Sequence, residues 1–271
     1  MTDPKIKLQM ELEHKFNKNQ LLPRIKKEFI ECDTFDFTAY MEEKQIPIKF
    51  GFDLLAQMAL HKRCSLPTLV GILRTHFNDS QVTADMLLRA AEADLVDWES
   101  SINMFIVKFT ISDDVQAELD KYQFPLPMVV EPRMVRENMD HGYLTSRGSL
   151  LLRKNHHEDD ICLDHINRVN RIRFSINTEV AHMVKNQWRN LDKPKSGETK
   201  ADFEKRKRAF DKYDRTAHVI HRIMVEAGNC FHITHKVDKR GRTYSQGYHI
   251  NPQGNAWCKA VISLYDKELV E

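Results

Sequence analysis

The chain has 271 residues, 41% of them hydrophobic and 30% charged, which is ordinary for a folded protein with a sizeable core. No apolar run approaches the roughly 18 residues that a membrane helix needs, and Met1–Lys7 lacks the apolar stretch of a signal peptide. The five cysteines are scattered and never form Cys-x-x-Cys. We therefore expect a reduced, cytoplasmic protein with no membrane partner and no structural disulfide.

The net charge of +2 conceals an uneven distribution. Residues 161–259 contain 20 Lys/Arg and 10 Asp/Glu, whereas the rest of the chain contains 21 and 29. A basic stretch attracts polyanions, because binding to phosphates releases counterions. The alternative, that these cations only solvate long helices, agrees equally well with the charge distribution.

Apolar spacing in the N-terminal part predicts several short helices, with the clearest face at residues 50–60. Residues 66–77 and 82–96 predict two more helices, the second capped at Asp79, and residues 101–112 predict a strand. Two helices and a β ribbon are typical of a winged-helix unit. The second helix, however, carries one Arg and three acids, so we favour core packing over base reading for these residues.

Further along the chain, residues 113–122 predict a short helix. Pro125, Pro127 and Pro132 predict an extended segment after it, because proline lacks an N–H and disfavours helix at the preceding residue.

Two long helices are predicted next. Apolar residues recur at helical spacing from Leu163 to Leu191, and the linker 192–197 interrupts them. Thr199 caps a second helix that stops at Gly228. Helices of about 40 Å joined by a short linker predict an antiparallel hairpin.

A compact charged motif follows, Asp238-Lys-Arg-Gly-Arg-Thr-Tyr244. Its glycine permits a tight backbone and close approach by a phosphate, and Arg242 offers a planar fork for phosphate oxygens. Asp238 can orient that arginine or cap the turn. Residues 243–250 then predict a strand, and Asn251-Pro-Gln-Gly-Asn255 predicts a turn.

This motif, the Asn251–Asn255 turn and Lys259 on the following apolar helix resemble the start of the palm in phage-type, single-polypeptide RNA polymerases, the family shared by bacteriophages and mitochondria. The preceding helical hairpin, with Asn167 and Asn170, is similar in position to the thumb of that family. The likeness covers roughly the C-terminal 60% of the chain.

The resemblance implies an α+β protein that is predominantly α-helical and has three parts. Residues 1–160 would form a reduced N-terminal domain, residues 161–230 a helical-hairpin thumb, and residues 231–271 the first strand and helix of a palm. A partner chain would complete that palm.

By resemblance, Asp238, Arg242 and Tyr244 hold the template strand and the young RNA:DNA hybrid near the active site, and the basic residues of the thumb contact phosphates. The nucleic-acid-binding residues that this implies are Asp238, Arg240, Gly241, Arg242, Tyr244, Asn251, Lys259, Arg168, Arg171, Lys205, Arg206, Lys207 and Arg208. The alternative is a plain β-turn with solvated surface charge.

In that family the metal-binding aspartates, the nucleotide-binding lysine and the ribose-discriminating tyrosine lie later in the polypeptide. The resemblance therefore implies no catalytic residue and no metal on this chain, which would be the smaller, N-terminal subunit of a split, heterodimeric RNA polymerase. Mg²⁺ would be held by the second subunit, which carries the rest of the palm and the fingers. An open sheet edge and apolar surface near Val261–Leu264 would face that subunit.

The other expected partners are the DNA template and the nascent RNA, and the need for a single-stranded-DNA-binding or promoter-opening factor stays open. A second hypothesis comes from another class of protein. The chain could be a non-catalytic nucleic-acid-binding or transcription-regulatory protein that reuses a polymerase thumb and the start of a palm.

Overall fold

Helices and small antiparallel sheets make up the structure, a computed structural model that describes residues 3–16, 18–188 and 191–267. This confirms the α+β prediction. By internal contacts the chain divides into two units, residues 18–120 (the helical unit) and residues 1–17 with 121–271 (the mixed unit). None of the helices in the described ranges has both the length and the apolar character of a membrane span.

The helices are α1 (Pro4–Phe16), α2 (Lys18–Ile30), α3 (Phe37–Glu43), α4 (Ile48–His61), α5 (Leu66–Leu73), α6 (Ser80–Glu92), α7 (Asp113–Tyr122), α8 (Leu163–Asn170), α9 (Thr178–Met183), α10 (Lys200–Glu226) and α11 (Ala256–Val261), with a 3-10 turn at Arg74–His76. The strands are β1 (Arg63–Ser65), β2 (Asp97–Glu99), β3 (Met104–Ile106), β4 (Arg173–Ile176), β5 (Phe231–His232), β6 (His235–Val237), β7 (Thr243–Ser245) and β8 (Ile262–Leu264). The sheets have the orders β1-β3-β2, β5-β4-β8 and β6-β7, and every strand pair is antiparallel.

One continuous apolar cluster forms the core of the helical unit. Helix α4 supplies its centre, since nine of its 14 residues are buried. Helix α6 begins at the predicted cap, where the Asp79 carboxylate accepts hydrogen bonds from the backbone N–H groups of Gln81 and Val82. Helix α7 has the predicted bounds.

The predicted helix pair and β ribbon are also present in the helical unit. The strand, however, is shorter than predicted, because β3 spans only Met104–Ile106. In this small sheet Phe105 pairs with Cys64 on one side and with Trp98 on the other. Leu87 of α6 and Phe105 are fully buried, which agrees with the core-packing interpretation.

Helix α10 is the longest helix of the mixed unit and agrees with its prediction. The Thr199 hydroxyl accepts from the Asp202 N–H at its start. At its end Gly228 adopts φ +106°, and the Asn229 N–H donates to the Met224 carbonyl. A glycine in this left-handed conformation is a common helix stop.

The predicted long helix from Leu163 to Leu191 is wrong. Helix α8 ends at Asn170, and Arg173–Ile176 forms β4, the central strand between β5 and β8. Asn177 then caps the short helix α9. Residues 189–190, which the prediction includes, lie outside the described residues.

Backbone pairing explains this difference. Phe174 of β4 lies opposite Phe231 of β5 and Leu264 of β8, so that the strand is paired along both edges. Two ladders of backbone hydrogen bonds outweigh the helical spacing of apolar side chains. A thumb hairpin of two long helices is therefore not formed, since only its second helix, α10, is present.

Buried polar groups connect separate segments of the mixed unit. Glu13 of α1 is fully buried, and its carboxylate accepts hydrogen bonds from Gln9 Nε2 (2.9 Å), the Leu144 N–H (2.8 Å) and both the N–H and hydroxyl of Thr145 (2.7 and 2.6 Å). The predicted extended segment is held similarly, because Met128 and His232 exchange backbone hydrogen bonds of 2.8 and 2.7 Å.

Candidate nucleic-acid interface

The predicted charged motif forms the tip of the β6–β7 hairpin, in which Val237 pairs with Thr243. Gly241 lies at the turn with φ +79°, and its N–H donates to the Asp238 carbonyl at 2.9 Å. No neighbouring atom lies within 4 Å of the position that a Cβ would take. The glycine is thus required by its backbone conformation and not by lack of space. The strand predicted at 243–250 is shorter, since β7 ends at Ser245.

Asp238 organises this tip. Its Oδ1 accepts from the backbone N–H groups of Arg240 (2.9 Å) and Arg242 (3.1 Å). Its Oδ2 accepts from Arg242 Nε (2.8 Å) and Nη2 (2.7 Å), Arg240 Nη2 (3.2 Å) and the Tyr244 hydroxyl (3.2 Å). The carboxylate therefore both caps the turn and orients the arginines, which were the two roles predicted for it.

Exposure differs sharply between the carboxylate and the cations that it holds. The Asp238 side chain is 5% exposed, whereas those of Arg242 and Arg240 are 52% and 64% exposed. Burial alone would raise the pKa of Asp238, but hydrogen bonds from Arg242 and Tyr244 lower it below its ordinary value. The carboxylate in turn raises the pKa of Arg242. The tip thus has a fixed anionic centre beneath an exposed cationic surface.

Tyr244 takes part in the same arrangement. Its hydroxyl donates to Asp238, and the Arg242 guanidinium carbon lies 5.7 Å from the centre of its ring. This distance is within the range of a cation–π contact, which further restricts the arginine. Tyr244 is therefore a supporting residue for Arg242 in this structure.

The Asn251–Asn255 turn supports the hairpin through a residue that the sequence reasoning missed. The Gln253 side chain accepts from the Ser245 N–H (2.9 Å) and donates to the Thr243 carbonyl (3.1 Å), so it pairs with the backbone of β7 as a neighbouring strand would. Asn251 Oδ1 accepts from the Gln253 N–H at 2.8 Å. The only signal in the sequence was the position of Gln253 inside the predicted turn.

A buried histidine links the hairpin to α8. His235 Nε2 lies 3.1 Å from the Ser245 hydroxyl, and its Nδ1 lies 3.0 Å from Asn170 Oδ1. Burial, assisted by His165, lowers the pKa of His235 to about 4. The ring is therefore neutral at pH 7 and acts as a hydrogen-bonding spacer.

The remaining predicted cations lie on helices or, in the case of Arg171, directly after one, and they differ in their partners. Arg168 and Lys259 are exposed on α8 and α11. Arg171 pairs with Glu131 at 2.9 Å. The structure therefore brings together the hairpin residues around Asp238 but not the whole predicted set.

The basic run Lys205–Arg208 on α10 is not uniform. Arg206 forms hydrogen bonds of 2.9 and 2.7 Å to Glu198 and has only a 16% exposed side chain, so it is a structural residue. Its guanidinium lowers the pKa of Glu198 to about 2. The Lys207 ammonium lies 4.7 Å from the centre of the Phe203 ring. Lys205 and Arg208 are exposed.

Comparison with known proteins adds no family to this description. No protein-family model matches the chain, and no curated protein is significantly similar to it in sequence. The likeness to phage-type RNA polymerases therefore stays a prediction carried by the motif at 238–244, the turn at 251–255 and the position of α10.

Proposed function

We propose that this chain is a subunit of a phage-type DNA-directed RNA polymerase that positions the template strand and the RNA:DNA hybrid. Nucleotidyl transfer would use Mg²⁺ and residues of a second subunit. The observation that carries the proposal is the buried Asp238 carboxylate, which holds Arg242 in a fixed and half-exposed position.

This geometry suits phosphate binding. Nε and Nη2 of Arg242 face Asp238, so the Nη1 edge of the guanidinium is directed away from the carboxylate. One Asp among Lys239, Arg240 and Arg242 leaves a formal charge of +2 on the tip. Cations fixed in this way can contact phosphate oxygens without reading sequence, as a polymerase that must move along any template requires.

The edge of the β5-β4-β8 sheet agrees with the proposal of a partner chain. Strand β8 is one of the two outer strands of this sheet, and its last residue Leu264 (58%) and the following Tyr265 (44%) are exposed. The apolar surface differs from the prediction in one respect, because Val261 is fully buried. An outer strand with exposed apolar side chains can accept another strand, which fits a palm completed by a second subunit.

Binding to nucleic acid is tested with the full chain and a labelled RNA:DNA hybrid, by fluorescence anisotropy over a series of KCl concentrations. Arg242→Ala should weaken binding about tenfold and reduce the salt slope by about one phosphate contact. Arg63→Ala, which removes an exposed arginine of the helical unit, is the matched control and should leave both quantities near wild type. Equal binding by wild type and Arg242→Ala would contradict the assignment of the hairpin.

The polymerase itself is tested by placing an affinity tag at Met1 and purifying the protein from the cells in which it naturally works. A stoichiometric second chain, together with Mg²⁺-dependent RNA synthesis on single-stranded DNA, would support the split enzyme. A single, inactive chain that still binds nucleic acid would favour the second hypothesis, a nucleic-acid-binding or regulatory protein with the same hairpin.

A further inference from the structure

A cleft of about 620 Å³ lies between α10 and the segment that precedes it in the chain. Lys185 and Trp188 line it from the preceding segment, and Lys207, Phe210 and Asp211 line it from α10. Its volume is within the range of small-ligand sites in proteins. The phosphate contact proposed for the β6–β7 hairpin uses none of these side chains.

The wall that carries Trp188 is anchored on both sides. Before the tryptophan, the Val184 carbonyl accepts from Trp257 Nε1 at 3.0 Å, and Asn186 Nδ2 donates to Asp214 of α10 at 2.7 Å. After it, Arg206 Nη2 donates to the Lys193 carbonyl at 3.3 Å. A site built from anchored walls loses little conformational freedom when a ligand binds.

An aromatic platform lies inside the cleft. Trp188 is half-buried, with its ring centre 5.4 Å from Phe210 at an angle of 64° and 5.4 Å from Tyr213 at 42°. These two rings restrict the indole, while part of it stays accessible. A restricted and partly exposed indole is a good stacking surface for a planar ligand.

Charged side chains of both signs line the cleft. Among the lining residues that the structure describes, Lys185 and Lys207 are accompanied by Asp192 and Asp211. This mixed lining offers a ligand both hydrogen-bond donors and acceptors. It suits a planar group that presents hydrogen-bond donors to the carboxylates and a single phosphate to a lysine.

We propose that this cleft binds one unstacked nucleobase of a single nucleic-acid strand, with the base on Trp188. Exocyclic amino or sugar hydroxyl groups would donate to Asp192 or Asp211, and the adjoining phosphate would lie near Lys185 or Lys207. The identification of that strand as template or transcript rests on the proposed function, whereas the binding of a base rests on the cleft alone.

The test uses the full chain and ten-nucleotide oligo(rA) and oligo(dA), with tryptophan fluorescence and the anisotropy of a 5′ label recorded at several KCl concentrations. Binding should quench Trp188. Trp188→Ala should weaken affinity roughly 5- to 100-fold at every salt concentration without changing the salt slope, because stacking is not electrostatic. Trp188→Phe keeps a ring, so it should retain most of the affinity and lose the quenching.

Two controls separate stacking from loss of structure. Trp98→Phe changes an exposed tryptophan of the helical unit and should quench as wild type does. Acrylamide quenching of the wild-type protein needs no substitution, and bound oligonucleotide should protect the indole from it.

The outcomes also separate this inference from the proposed function. If Trp188→Ala binds oligonucleotides as wild type does and acrylamide access is unchanged, the cleft is not a base site, whatever Arg242→Ala does to hybrid binding. If quenching depends on Trp188 but Arg242→Ala leaves hybrid binding unchanged, the cleft inference stands and the hairpin assignment fails.

Discussion

The two units of this chain bury different kinds of side chain. Of the twelve buried polar or charged residues in the described part of the chain, eleven lie in the mixed unit, and Thr83 alone lies in the helical unit. The helical unit is therefore stabilised chiefly by apolar burial, which is non-directional. The mixed unit has apolar clusters as well, but it adds buried hydrogen bonds with strict geometry. Such bonds hold Arg242 directly and anchor the segment that carries Trp188.

The largest loss of stability should follow a substitution in the apolar core of the helical unit. Phe105 is fully buried on the central strand β3, so Phe105→Ala should lower the free energy of unfolding by about 3–5 kcal/mol. Hydrogen-exchange mass spectrometry, which resolves peptides of each unit, measures the loss. Ile102→Ala removes a 49% exposed side chain nearby and should cost less than about 1 kcal/mol. Equal losses for the two variants would contradict an apolar core at β3.

Acid should distinguish the two units next. Burial, with a smaller contribution from His218, lowers the pKa of His221 to about 4, and burial lowers that of His235 to about 4 as well. The unfolded chain then binds protons that the folded unit does not. The stability of the mixed unit is complete above about pH 6.5 and falls as the pH decreases toward 4, by about 2 kcal/mol per histidine at pH 5.

Hydrogen exchange at pH 7 and pH 5, corrected for intrinsic exchange rates, measures this difference for each unit. His221→Phe should reduce the pH dependence of the mixed unit, because phenylalanine does not bind a proton. Its ring can replace the His221 ring, which stacks on Trp257 with the ring centres 4.8 Å apart, so the packing should be kept. A pH dependence in His221→Phe as steep as that of wild type would show that His221 is not a source of the acid sensitivity.

In the β6–β7 hairpin, a substitution that raises the net charge tests whether charge or fixed orientation governs binding to nucleic acid. Asp238→Asn removes a negative charge, so charge alone predicts tighter binding to nucleic acid. Fixed orientation predicts the opposite, since the amide cannot accept from Arg240, Arg242 and Tyr244 together. We expect hybrid binding to weaken about tenfold, or roughly 1.4 kcal/mol. Tighter binding in the anisotropy assay would mean that the orientation of Arg242 is unimportant.

The sequence predicted those parts of the fold that local chemistry decides. Asp79 and Thr199 cap their helices as expected, and Asp238 closes the turn at 238–242 with its own side chain. In each of these cases the donor and the acceptor lie within four residues of each other. No knowledge of distant segments was needed.

The region from 163 to 191 shows where such reasoning fails. Ile172, Phe174 and Ile176 fit helical spacing loosely and strand alternation equally well, so periodicity alone could not decide between them. Pairing with β5 and β8, which lie more than 50 residues away, decided for a strand. Trp188 and Lys185, which line the cleft, lie in this same region, where a helix was predicted. The cleft could therefore not be predicted either.

The last comparison is between two glycines, one from each unit, and Gly71→Ala should have the smallest effect of all. Gly241 of the hairpin and Gly71 of α5 both have open space where a Cβ would lie, but only Gly241 has a positive φ. Gly241→Ala should therefore cost about 1–2 kcal/mol through backbone strain, and Gly71→Ala should stabilise α5 by about 0.5–1 kcal/mol. Hydrogen exchange in peptides that cover each site measures both. A neutral Gly241→Ala would mean that the turn can adopt another conformation, and Asp238 would then not hold Arg242 as rigidly as the proposed phosphate contact requires.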